Sequence, residues 1–87
     1  MNWAAEHRLD GTIGRIVDVT PGPSDQPATV IEVGQTWTLF GATFVVDGIE
    51  LEESIDGYSV CLDGAGGLAW SFASDLVTLG HLVERQG

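Results

Sequence analysis

The chain has 87 residues, 44% of them hydrophobic, and its thirteen Asp and Glu face three Arg and no Lys, a formal net charge of −10. So short a chain holds one domain with one core and leaves no room for a separate catalytic domain. Between Arg15 and Arg85 stand eleven carboxylates and no fixed positive charge; such a surface repels nucleic-acid phosphates and anionic membranes, because binding either depends on Lys or Arg.

Stability on the order of 4–13 kcal/mol is expected at this length. A single cysteine, Cys61, cannot form an intramolecular disulfide, so nothing points to an oxidising compartment. The first residues, Met1–Arg8, lack the basic and apolar regions of a signal peptide. No run approaches the roughly 18 apolar residues of a membrane span. A cytoplasmic protein is expected.

In chain order, residues 1–10 fit a short helix with Asn2 as cap and Trp3, Ala4 and His7 on one face, docked through Trp3 and Leu9. From Thr12 to Val19 the alternation predicts a first strand with Val17 and Val19 inward. All three prolines fall in 20–28, which reads as a long, stiff, exposed loop whose shortening changes stability little. Thr29–Val33 resumes the alternation and Gly34-Gln35 bends the chain. Trp37 and Leu39 then alternate with threonines up to a short hairpin at Phe40-Gly41-Ala42. A strand from Thr43 to Leu51 carries a bulge at Gly48.

Beyond the acidic bend at Glu52–Gly57, Tyr58, Val60 and Leu62 form the next strand. Asp63–Gly67 is a turn, and Leu68, Trp70 and Phe72 read as another inward face. Ser71 or Ser74 caps a single helical turn at Asp75–Leu79, which Gly80 ends in a left-handed conformation. His81–Glu84 closes the fold. The expected core is Trp37, Phe44, Val46, Val60, Trp70 and Phe72. If Trp70 is buried, Trp70→Ala costs about 3–5 kcal/mol; a much smaller loss means the strand is read one residue out of register.

The predicted class is all-β. The order of strand, long loop, meander, one helical turn and last strand resembles the SH3-like small β-barrel, with five to six antiparallel strands and the last closing against the first. One domain spans 1–87, with an N-terminal segment over 1–11, the barrel over 12–84 and the proline-rich loop at 20–28. Gly34, Gln35, Trp37, Trp70 and Phe72 also resemble the pattern of small domains encoded in phage and actinobacterial genomes. The absence of Lys beside abundant Gly, Ala, Val and Asp points the same way, toward a GC-rich source. SH3-like barrels serve many functions, so the likeness leaves function open. Peptide-binding SH3 domains grip polyproline with an acidic, aromatic first loop; here that loop is itself proline-rich and has no aromatic residue, which argues against that mode.

Little in the sequence points to catalysis. Asp63–Gly67 runs into a strand and has no Lys, unlike a phosphate-binding loop. Cys61, His7 and His81 show no zinc-ligand spacing, and Cys61 between Val60 and Leu62 reads as a small buried hydrophobe. No serine or cysteine sits in a nucleophile motif. No enzyme activity, cofactor or metal is expected.

What stands out is DGIELEESID, with five carboxylates in ten residues: Asp47, Glu50, Glu52, Glu53 and Asp56. Such residues keep a strand edge in solution and block edge-to-edge pairing. They also form a negative surface that attracts a basic partner. Glu50 and Glu52, two apart on one strand, stand about 6.5–7 Å from each other, near the spacing of successive phosphates. The expected function is a non-catalytic interaction module that binds a protein partner, or itself, through an acidic surface or a strand edge. The alternatives are an acidic mimic of nucleic acid and a small accessory subunit of an assembly.

Overall fold

The computed structural model describes residues 2–19, 29–55 and 57–83. Eight strands form two antiparallel sheets. β1 (Trp3–His7), β2 (Ile13–Asp18) and β3 (Val30–Glu32) make the smaller one in sequence order. The larger is ordered β7-β6-β5-β4-β8, from β4 (Thr36–Leu39), β5 (Ala42–Glu52), β6 (Gly57–Gly64), β7 (Gly67–Phe72) and β8 (Gly80–Leu82). A 3₁₀ turn at Glu53–Ile55 joins β5 to β6, and α1 (Ala73–Leu79) precedes β8.

The all-β class holds, but among the described residues the sheets do not close into a barrel, and β8 pairs with β4, not with β2. The N-terminal helix is also absent: Trp3–His7 is a strand on β2. A helix of ten residues is marginal alone, and a ladder with an adjacent strand outcompetes it. Leu9 docks nowhere; it is fully exposed in the β1–β2 loop. The proline-rich loop at 20–28 and the end of the last expected strand at Glu84 lie outside the described residues.

Arg15 sets the phase of the smaller sheet. Glu6, Arg15 and Glu32 stand side by side across β1, β2 and β3, and the guanidinium pairs with both carboxylates. Val17 shares that outward phase and Val19 is more than half exposed, so Ile16 is the residue turned inward, beside Ile31. This corrects the expected inward face of the first strand. One core cluster joins Ile16 and Ile31 to Trp37, Val46, Ile49, Val60 and Leu62 of the larger sheet, and to Ala73 and Leu76 of α1. Full burial of each large aliphatic among them contributes about 1.5–3 kcal/mol.

The two sheets are stitched together at Glu32–Gln35. This turn places Gly34 at φ +97° and closes with the Gln35 N–H donating to the Glu32 carbonyl at 3.1 Å, the geometry of a type II turn. The Gln35 Oε1 accepts both the Trp37 indole N–H, at 3.0 Å, and the Glu32 N–H, at 2.9 Å. Its Nε2 donates to the Val30 carbonyl at 3.3 Å. One amide thus ties β3 to the aromatic centre of β4. Gln35→Ala is expected to destabilise by about 2–3 kcal/mol, because it strands the indole donor in the core; the denaturant midpoint measures it.

Gly48 acts as expected: the β5–β6 register shifts between Val46 and Gly48, leaving Asp47 as the extra residue. The helix departs from expectation. It starts at Ala73, has Phe72 as N-cap with no side-chain cap bond, and ends at Gly80 with φ −101°. Gly80 is required by crowding, since a Cβ there would lie 2.7 Å from the Leu76 carbonyl oxygen and 3.0 Å from that of Thr38. That close approach is what lets β8 lie against β4.

Candidate functional site

Register sorts the larger sheet into two faces, because paired residues point to the same side. Trp37, Val46, Ile49, Val60 and Leu62 face the core. The other face carries three rows across β5, β6 and β7: Val45–Asp63–Leu68, Gly48–Cys61–Trp70 and Glu50–Ser59–Phe72. Leu68, Trp70 and Phe72 therefore lie outside the core, with relative exposures of 65%, 57% and 42%. This corrects the expected burial of Trp70 and Phe72. β7 is the edge of its sheet; the alternate residues Ala69, exposed, and Ser71, half-buried, pair with Leu62 and Val60, while α1 supplies Leu76 to the core on that side. Phe44 is half-buried against the core, as expected of its face.

A groove of about 660 Å³ opens beside this aromatic stripe. Its apolar walls are the half-buried Leu39 and the rings and side chains of Phe40, Leu51, Trp70, Phe72 and Leu79, these five at least two-fifths exposed. Glu50, Glu52 and Asp75 supply the charge, and no Arg or His lines it. Glu52 is held by Ser54, whose hydroxyl donates to its Oε1 at 2.8 Å. Asp75 stands in the first turn of α1.

A second depression, of about 640 Å³, lies on the other side of Trp70. There His7 at the end of β1 and Arg8 and Asp10 of the β1–β2 loop share the lining with Asp47, Glu50 and Cys61, so its charges are mixed. Hydrogen bonds from Thr12 hold the exposed Asp10 carboxyl below the usual carboxylate range. Cys61 is buried across from Trp70; burial, then Asp47, Asp63 and Glu50, push its thiol up. A thiol so placed is a poor nucleophile. Among the described residues no group of three or more His, Cys, Asp and Glu is placed to hold a metal ion. No helix among them is long and apolar enough to cross a membrane.

Of the five carboxylates singled out in the sequence, Glu50 and Glu52 meet in the groove. Asp47 lies in the second depression, Glu53 opens the 3₁₀ turn and lines neither, and Asp56 lies outside the described residues. The aromatic half of the site and Asp75 were not foreseen.

Phe40 gives an independent sign that the groove is built for contact. Phe40 at φ 51° and Gly41 at φ 79° occupy the β4–β5 turn, the pattern of a type I′ hairpin that favours Asn-Gly. A bulky residue held left-handed costs about 1–2 kcal/mol, and this one is 82% exposed. Local strain is thus spent on an aromatic ring at the groove's rim. Phe40→Asn is expected to raise stability by about 1 kcal/mol and to weaken whatever the groove binds; thermal denaturation and a binding titration read the two effects separately.

Compared with known protein families, curated proteins and solved structures, the chain matches none. Its class therefore rests on its own geometry: an all-β domain of two antiparallel sheets, with an open, acidic and aromatic groove where the β5–β6–β7 end of the larger sheet meets α1 and the β4–β5 turn.

Proposed function

We propose that this domain is a non-catalytic interaction module whose groove takes a short segment of a partner protein combining basic and apolar side chains. The carrying observation is that three exposed aromatic rings, Phe40, Trp70 and Phe72, line one groove with three carboxylates and no cation. Aromatic faces and carboxylates together suit Arg and Lys, whose stems pack on rings while their charge meets an acid. A nucleic-acid mimic needs rows of carboxylates clear of apolar surface, and here rings are interleaved with them. The likeness to SH3-like barrels belongs to the same proposal: the element order supports it, while the β8–β4 pairing departs from it.

The test is an association-rate measurement with a capped hexapeptide of alternating arginine and valine. Neutralising Glu50, Glu52 and Asp75 to their amides should slow association about tenfold and flatten its salt dependence. Neutralising Asp47, Glu53 and Asp63 makes the same change in net charge away from the groove and should do far less. Equal effects from the two triplets would reduce the attraction to general acidity and remove the groove from the account.

A further inference from the structure

The described residues contain four sheet edges, and only one is left open to pairing. Proteins blunt their edges with short strands, charges and bulges. β3 and β8 have three residues each. β1 carries Glu6 and His7 and breaks register between them. β7 differs on every count: it runs six residues, GLAWSF, without a charge, a proline or a register shift. On one side it pairs with β6, and among the described residues nothing pairs with the other.

We propose, building on the groove reading above, that the partner segment binds in extended form and adds a sixth strand along β7. Main-chain hydrogen bonds to the edge then supply affinity, and alternate side chains supply selection. A residue added across from Phe72 falls on the outer face. Ser59 and then Glu50 continue that row. An Arg or Lys there lays its stem over the ring and points its charge toward Glu50, about 10 Å beyond Phe72 at two strand spacings. Ser59, the small residue between them, leaves that path open. Residues of the other phase meet Ala69 and Ser71, which suits small apolar side chains.

A second copy of this chain fits the edge poorly. Each copy carries a formal charge of −10, and pairing β7 with itself would bring two acidic grooves together with no cation between them. Charge complementarity selects a foreign, basic strand.

The test uses the full chain and the alternating arginine–valine hexapeptide, with amide hydrogen exchange as the readout. Binding should slow exchange at alternate amides of residues 67–72 by at least about tenfold, as new main-chain bonds form. Two peptide analogues, N-methylated at the arginines or at the valines, should differ by about tenfold or more in affinity, because only one set of peptide amides faces β7. If the peptide shifts the Trp70 ring signals while 67–72 exchange unchanged and both analogues bind alike, strand addition is overturned and the groove reading stands. If the peptide leaves Trp70 untouched, both fall. If protection at 67–72 grows with protein concentration alone, the occupant is a second copy and the proposed partner is wrong.

Discussion

Trp37→Ala should cost about 3–5 kcal/mol, while Trp70→Ala should cost less than about 1 kcal/mol. Trp37 is 4% exposed, lies in the core cluster and donates its indole N–H to Gln35. Its removal opens a cavity and ends the link that the ring makes through Gln35 to β3. A domain this small holds only about 4–13 kcal/mol in total, so the variant sits at the edge of folding. Trp70 leaves no cavity, because more than half of its surface is already in water. Denaturant midpoints for the two variants decide between the two registers of β7: a larger loss at Trp70 would place its ring in the core and erase the stripe.

The second large effect is on binding. Trp70 lines both depressions and stands in the middle of the exposed row on β7. Central aromatic residues that become fully desolvated dominate interfaces, and truncating one costs about 2–4 kcal/mol. Trp70→Ala should therefore weaken the hexapeptide by about thirtyfold or more while the fold stays intact. Trp70→Phe should recover much of the loss, since a ring remains to stack on the cation. Unchanged affinity in Trp70→Ala would show that the peptide binds elsewhere.

Turns and strand positions were legible in the sequence because their chemistry is local. Gly34, Gly41 and the Gly48 bulge all act where their residue types place them. Strand phase was harder, because alternation alone says which residues share a face and not which face is inside. In β2 the answer was present: Arg15 shares the phase of Val17, and a charge flanked by Glu6 and Glu32 belongs outside. In β7 no charge marks the outer face, and whether Leu68, Trp70 and Phe72 point in depends on what α1 already fills. That is a tertiary fact. The N-terminal strand was missed for a related reason, since its ladder with β2 exists only once the chain has folded back.

The acidic run showed which residues carry charge, but a bulge and a turn divide them. Asp47 is displaced to the second depression, Glu50 and Glu52 stay with the groove, and Asp75 joins them from α1 through the fold alone.

The three tryptophans offer the most direct test of the groove. Their indole N–H resonances can be followed together while the arginine–valine hexapeptide is titrated at low and high salt. Trp37 is fixed by Gln35 in the core, Trp3 is partly buried against the core cluster from the smaller sheet, and Trp70 stands open on the outer face. With the peptide seated in the groove, the Trp70 signal should move to saturation, less readily at high salt, while those of Trp37 and Trp3 stay in place. Movement of Trp3 with Trp70 unmoved would contradict that seating.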